Sequence, residues 1–459
     1  MNSAGSAWEG DKTMITNLTP YPAYKDSGVR WLGKVPEHWE LMPVKRALRP
    51  QSCGNVAIKN TAAATPLDGY APAFSASGQD VWLPRALHRG SALVLSAVGA
   101  RCGKTFRADG EWGVVANTHI LWHRPGQNRD YWWYVTNNEA WWDKAGAAQP
   151  FVRVSATLER SWVIPPLPEQ TAIVRFLDYM DRRIRRFIRA KQKLIKLLEE
   201  YRQALIHQAV TGKIDVRTGK PYPSCKDSGV PWLVKVPEHW EVVPLRWFIS
   251  IASGDFIETS AVSGNRSNER PYPVIGGNGV LGYAGLYNAT EITVVVGRVG
   301  ALCGNVHIVN EPAWITDNAL MITQIIEFSP KFLSIQLKVM DLNRLANANA
   351  QPLVTGGMIK AQRVVKPLIH EQLAIVDFVD EQTAKLDAAI AAARREIELL
   401  REYRERLIAD VVTGKVDVRG VAAQLPEEPP DQEAGTEEEE PVADELATVD
   451  SQEEANGEE

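Results

Sequence analysis

Two glycine-bearing stretches carry residue types suited to phosphate or dinucleotide chemistry. Gly99-Ala100-Arg101-Cys102-Gly103-Lys104-Thr105 offers backbone amides, a lysine and a hydroxyl in the order a phosphate cradle uses. Such a cradle needs four residues between its glycines and a helix directly after the hydroxyl, so that the helix N-terminus meets the phosphate. Here the glycines are separated by three residues, and Phe106 to Gly113 reads as a turn. Gly304-Asn305-Val306, 201 residues later, lacks the lysine altogether. A tight hairpin turn fits better. Gly277-Asn278-Gly279-Val280-Leu281-Gly282 matches the dinucleotide glycine pattern literally and follows the strand-like Pro271 to Ile275. It then enters another strand-like run, with no acidic residue at the distance a ribose needs. A loop at the edge of a β-domain is the expected structure.

Other catalytic constellations are missing from the sequence. There is no Glu-x-Lys tripeptide for a metal-dependent nuclease, no Asn-Pro-Pro-Tyr or Asp-Pro-Pro-Tyr for an amino-methyltransferase, no His-Glu-x-x-His and no Gly-x-Ser-x-Gly. His38 and His239 both lie in Pro-Glu-His-Trp, which suggests a structural role. Cys102 and Cys303 hold equivalent places, a packing site rather than a ligand set, and the four cysteines contain no Cys-x-x-Cys pair. Neither a catalytic centre nor a metal site is expected. The chain is built to bind.

What must position those loops is a structure written twice. Tyr21 to Trp39 recurs at Tyr222 to Trp240 with 15 of 19 residues identical at an offset of 201, and Tyr201 to Arg217 recurs at Tyr403 to Arg419 with 11 of 17 identical at an offset of 202. The period is too long for a solenoid. Each copy opens with Val-Pro-Glu-His-Trp and continues through apolar, β-branched runs bounded by Gly, Asn and Asp. Asn117 and Asn318 hold equivalent positions in these runs. Tyr131 to Ala145 reads as a helix whose aromatics belong to a core. Long helical patterns follow Pro166 and Pro367. Leu177, Ile184, Ile188, Lys191, Ile195, Leu198, Tyr201 and Leu205 match Val379, Leu386, Ile390, Ala393, Ile397, Leu400, Tyr403 and Leu407, spaced near 3.5 residues as in a coiled-coil seam. Gly212 and Gly414 supply the stops. Helices of about 44 residues would be roughly 66 Å long. The expected class is α+β: two β-rich domains separated by two long helices in an antiparallel coiled coil, a pseudo-two-fold tandem repeat.

Charge points to a polyanion. The chain has 51 basic and 56 acidic residues, but residues 420–459 hold 15 of the acids and no Lys or Arg. That segment is expected to be disordered. Subtracting it leaves 41 acids against 51 bases, so the body carries about +10. No apolar run reaches the length of a membrane helix and the N-terminus lacks a basic-then-apolar signal, while four cysteines make no disulfide framework, so a reducing cytoplasm is expected. Arg182, Arg183, Arg185, Arg186, Arg189, Lys191, Lys193 and Lys196 make the middle of the first helix basic, while the second carries Glu396, Glu398, Glu402 and Glu405. Antiparallel pairing about residues 191 and 393 would set Arg182 opposite Glu402 and Arg186 opposite Glu398. Surplus charge would face DNA phosphate or a partner, or simply solvent.

In combination, Lys-Asp-Ser-Gly-Val-x-Trp-Leu…Val-Pro-Glu-His-Trp, the Pro-Leu-x-Glu-Gln helix entry and the Val-Thr-Gly-Lys-x-Asp-Val-Arg exit, each present twice, resemble the specificity subunit of a type I restriction–modification system. His370 adds one residue to the second entry, and the acidic tail lies outside the pattern. The resemblance implies a flexible N-terminus (1–18), target recognition domains at 19–168 and 219–369, helical regions at 169–218 and 370–419, and a tail at 420–459. It also implies a non-catalytic protein without cofactors of its own. Its partners would be double-stranded DNA with a bipartite asymmetric site, two methyltransferase subunits that use S-adenosylmethionine, and restriction/translocase subunits that use ATP and Mg. Loop residues expected at the DNA are Ser75, Ser77, Gln79, Arg101, Lys104 and Arg153 in the first domain, with Asn265, Arg266, Asn268, Asn278, Arg298 and Asn305 in the second. Two alternatives remain: a subunit of a methylation-only system, and a coiled-coil scaffold without DNA readout.

Overall fold

In the first copy, Pro and Gly punctuation breaks the chain into short strands, and Ala92-Leu93-Val94-Leu95-Ser96, apolar on both faces, becomes a fully buried central one. The structure, a computed structural model, describes residues 18–53, 62–147, 149–300, 302–346 and 352–426. The chain divides into two units, residues 1–189 with 397–459 and residues 190–396. Each unit therefore draws on both copies of the repeat.

In the first unit the lead forms a hairpin of β1 (Tyr24–Asp26) and β2 (Lys34–Pro36). β3 (Glu40–Pro43) pairs with β14 (Ser161–Ile164), joining the two ends of the domain. One sheet holds β4 (Leu48–Ser52), β8 (Ala92–Ser96), β9 (Thr105–Ala108) and β11 (Thr118–His123) in the order β4-β11-β8-β9. A second holds β5 (Ala71–Ser75), β6 (Gly78–Leu83), β7 (His88–Arg89) and β10 (Glu111–Val114) in the order β6-β5-β10-β7. A small ladder joins β12 (Lys144–Ala145) to β13 (Phe151–Val152). The aromatic segment gives α1 (Arg129–Thr136), capped by the Asn128 side chain. It ends earlier than the expected 145, because Asn138 caps a separate short turn over Glu139–Trp141. Tyr131, Trp132, Trp133 and Tyr134 are buried, as core residues should be. α2 (Val154–Leu158) and α3 (Leu167–Val210), 44 residues long, follow.

The second copy repeats this plan. β15 (Cys225–Asp227) pairs with β16 (Lys235–Pro237), and β17 (Glu241–Pro244) pairs with β25 (Arg363–Lys366). The larger sheet orders β18 (Ile249–Ser253), β24 (Ala319–Ile325), β21 (Thr293–Gly297) and β22 (Val306–Val309). β20 (Gly279–Ala284), β19 (Tyr272–Gly276) and β23 (Trp314–Ile315) form the smaller one. The helices are α4 (Pro330–Val339), α5 (Gly356–Lys360) and α6 (Ile369–Val412), again 44 residues. α7 (Arg419–Gln424) returns to the first unit.

The long helices run antiparallel within each unit. In the first, Asp181 pairs with Arg404, one residue from the expected register. In the second, Lys191 meets Glu396 at 2.7 Å and Arg202 meets Asp387 at 3.4 Å. Leu177, Ile184, Leu205, Val379, Ile390, Ala393, Ile397 and Leu407 are buried as seam residues. Tyr201 is not: it is 58% exposed. Here the stripe steps from 198 to 202 to 205, so Arg202 takes the inward place and turns Tyr201 to the outside.

Composition misplaces the start of the tail. Residues 420–424 lie in α7, where Ala422 is buried, as is Leu425 just beyond it, and the Leu425 carbonyl accepts from Arg175. The first few residues are apolar enough to join the core before the acidic run begins. The rest of the expected tail, and the expected N-terminal segment up to residue 17, lie outside the described residues.

The repeated motifs converge at the foot of each domain. In the first unit, Glu169 of the helix entry accepts from Trp39 Nε1 at 2.8 Å and Tyr21 Oη at 3.3 Å, meets His38 Nε2 at 2.6 Å, and pairs with Arg419 of the other helix's exit at 3.2 Å. In the second, Glu371 meets His239 at 3.0 Å and Arg217 at 3.5 Å. Burial, reinforced by Glu169, pushes the Tyr21 phenol far up, while Tyr222 is pushed up to about 12, mainly by burial. Gly212 and Gly414 have φ of +73° and +75°, and a Cβ at either would collide with Pro237 or Pro36. Both the left-handed turn and the close approach demand glycine. Asp417 bridges to Thr19 as Asp215 bridges to Lys220. One unit thus closes without a covalent link what the other closes with a turn.

Candidate nucleic-acid interface

The near-miss phosphate loop is the connection between antiparallel β8 and β9. Its glycines, Gly99 and Gly103, have φ of +101° and +100°. Gly103 donates to the Ser96 carbonyl at 2.8 Å, and Cys102 is fully buried beneath the loop. The dinucleotide-like pattern is likewise a hairpin, with β19 and β20 joined through Gly277-Asn278. Neither loop leads into a helix. Among the described residues no group of three or more His, Cys, Asp and Glu is placed to hold a metal ion.

Three segments meet at the tip of each domain. In the first, the β5–β6 turn approaches the β8–β9 loop, where Arg101 donates to the Ser77 carbonyl at 3.4 Å. The strand with Phe151 closes the third side through Gly99 N to Pro150 O at 2.9 Å. In the second, the β19–β20 turn approaches the β21–β22 loop, where Asn305 donates to Asn278 at 3.3 Å. Gly300 N to Pro352 O, 3.1 Å, closes the same third side. Both hairpins carry a bulge at the same place, with Asp80 as the extra residue of the strand in one and Leu281 in the other.

The chain matches the family model described as the type I restriction modification DNA specificity domain over residues 237–399. It is 26% identical over 133 residues to the type I restriction enzyme EcoprrI specificity subunit of Escherichia coli, a match covering 29% of this chain and 33% of that one. The matched stretch thus spans about a third of the curated relative. A structure concerning assembly and conformational transition of the type I R-M system aligns with TM-score 0.63 at 14% identity, covering 82% of this chain and 98% of that one. The fold is shared. The HsdS subunit from Thermoanaerobacter tengcongensis aligns over 83% of this chain and 98% of its own, at 16% identity and TM-score 0.47. Over residues 237–399 the chain is thus similar to the DNA specificity domain of type I restriction–modification systems, and its fold is that of the aligned type I structure.

The structure does not bring all the expected site residues together. Ser77, Gln79, Arg101 and Lys104 share one tip, and Asn278, Arg298 and Asn305 share the other. Ser75 is 3% exposed, and its hydroxyl accepts from Ser77 N at 3.0 Å, so it shapes the turn rather than facing outward. Arg153 is tied to Asp143 at 2.8 Å. Asn265, Arg266 and Asn268 are exposed but lie at the far end of the β19–β20 hairpin: Ser263 bridges Tyr283, and Arg266 pairs with Glu311 at 2.7 Å. Arg298 reaches Ser253 at 3.3 Å. Sequence reasoning left Asn117 and Asn318 out of the site. Both are exposed, and their carbonyls hold the tip loops through Ala97 N at 2.9 Å and Arg298 N at 3.0 Å. Their equivalence in the repeat was the available signal.

Proposed function

We propose that this chain selects where a type I restriction–modification assembly acts on double-stranded DNA. Each β-rich domain reads one half of a bipartite, asymmetric site through its loop tip, and the paired helices fix the unread gap. The observation that carries this reading is one backbone scaffold presented twice with different side chains at its tips. A duplicated reader with matched scaffolds suits two half-sites at fixed separation, and unlike tips suit an asymmetric sequence. In this reading the chain performs no chemistry. Two methyltransferase subunits bring S-adenosylmethionine and modify adenines, and restriction/translocase subunits bring ATP and Mg.

Mapping methylated adenines across the genome, with and without this chain, tests the proposal. Loss of one bipartite motif on deletion is the expected result. An unchanged methylation map would overturn it. Whether the system also cleaves depends on its partners, and a methylation-only assembly would give the same map.

A further inference from the structure

Resting on that reading, the structure also distinguishes how the two domains would recognise bases. The strands and bulges around the two tips correspond at an offset of 201, so the tips can be compared residue by residue. Gln79, Asp80, Arg101 and Lys104 of the first domain correspond to Val280, Leu281, Leu302 and Asn305 of the second. The first tip is polar and charged. The second exposes three aliphatic side chains: Val280 at 61%, Leu281 at 60% and Leu302 at 47%.

These residues are not stray surface apolars. Val280 and Leu281 sit at the hairpin bulge, and Leu281 lies over Gly276, where a Cβ would come within 2.7 Å of its side chain. Leu302 lies in the loop whose Asn305 bonds to the hairpin's Asn278. Aliphatic side chains and carboxamides therefore share one loop cluster. In the major groove the apolar feature of a base edge is the thymine C5-methyl, and the same base pair offers adenine N6 and N7 to a carboxamide. A charged tip such as Arg101 and Lys104 suits guanine instead.

We propose that Val280, Leu281 and Leu302 form an apolar surface for thymine methyl groups, so that the second domain reads A·T pairs in its half-site. The test uses the complex of the full chain with its methyltransferase subunits. Thymines of each half-site are replaced one at a time by deoxyuridine, which removes only the methyl group. At least one replacement, confined to one half-site, weakens binding about fourfold, the effect of one buried methyl. The complex carrying L281A and L302A binds the thymine and deoxyuridine duplexes equally.

Indifference to every deoxyuridine, with sequence-selective binding retained, overturns this inference alone, and that scan needs no variant. Discrimination that survives L281A and L302A also overturns it. A complex without sequence preference overturns both this inference and the function it rests on.

Discussion

The two units differ least in backbone and most in what their side chains do with it. At the foot of the first domain, Trp39 Nε1, Tyr21 and His38 all reach Glu169. The equivalent Trp240 indole N–H finds no partner among the described residues, and Glu371 turns both oxygens to His239. These motifs are nearly identical in sequence, yet their hydrogen bonding diverges. At the tips the reverse holds: hairpin, bulge and glycine loop are retained, while the side chains change from charged to aliphatic. The common element is backbone geometry, set by glycines, bulges and strand register. A domain built this way can change what its tip presents without rebuilding its scaffold.

Changes to the helices should strike hardest, because they affect both units at once. A matched heptad insertion near Ile195 and Ile397 adds about 10.5 Å to each helix while keeping the seam in phase. Each half-site should be kept and the gap widened by about three base pairs, as read from the methylated motif. Two-residue insertions should rotate the seam out of contact and abolish assembly. An unchanged gap after a heptad insertion would mean that the helices do not set the distance.

The shared geometry gives the next largest effect. G212A and G414A should each cost about 3 kcal/mol, combining a left-handed backbone with a collision against proline. Thermal unfolding should show similar losses for the two, and a large difference would break the equivalence of the feet. Unequal losses are expected instead from E169A and E371A, about 3 and about 2 kcal/mol, because only the former strands the indole of Trp39. Equal losses would mean that the Trp39 bond contributes nothing.

Smaller effects come from charge. Asp417 and Asp215 are held below the usual carboxylate range. Arg419 outweighs burial in the first case, and hydrogen bonding from Arg217 leads in the second. Their folded-state values are depressed, so the stabilisation is present above the ordinary carboxylate value and is lost as pH falls below about 4. D417N should reduce that acid dependence. The Asp181–Arg404 pair should show a coupling of about 0.5–1 kcal/mol in a double-mutant cycle on stability. Charge exchange at both positions should restore most of it.

Much of this arrangement could be read before the fold was known. Each long helix spans 44 residues, as its seam and glycine stop predict, and both suspected phosphate loops are hairpins. What escaped depends on neighbours distant in sequence. Ser75 looks like any polar loop residue until the turn buries it, and Arg266 looks available until Glu311 arrives from 45 residues away. A 3.5-residue average cannot say whether Tyr201 or Arg202 faces inward, since a single step of four instead of three decides it. Ala422 and Leu425 are too few to register beside so many acids, yet they are enough to fold.

Each unit is assembled from both copies of the repeat, and this has a consequence for exchanging parts between relatives. The cassette that moves one domain intact is not half of the sequence but residues 190–396. Joints at 189/190 and 396/397 keep Glu371 with Arg217, Gly212 with Pro237, and Lys191 with Glu396. A crossover between Gly212 and Tyr222 would instead separate Arg217 or Gly212 from the domain it supports. On the proposed reading, recombination within the two long helices would yield hybrids that each inherit one domain as a single packed body.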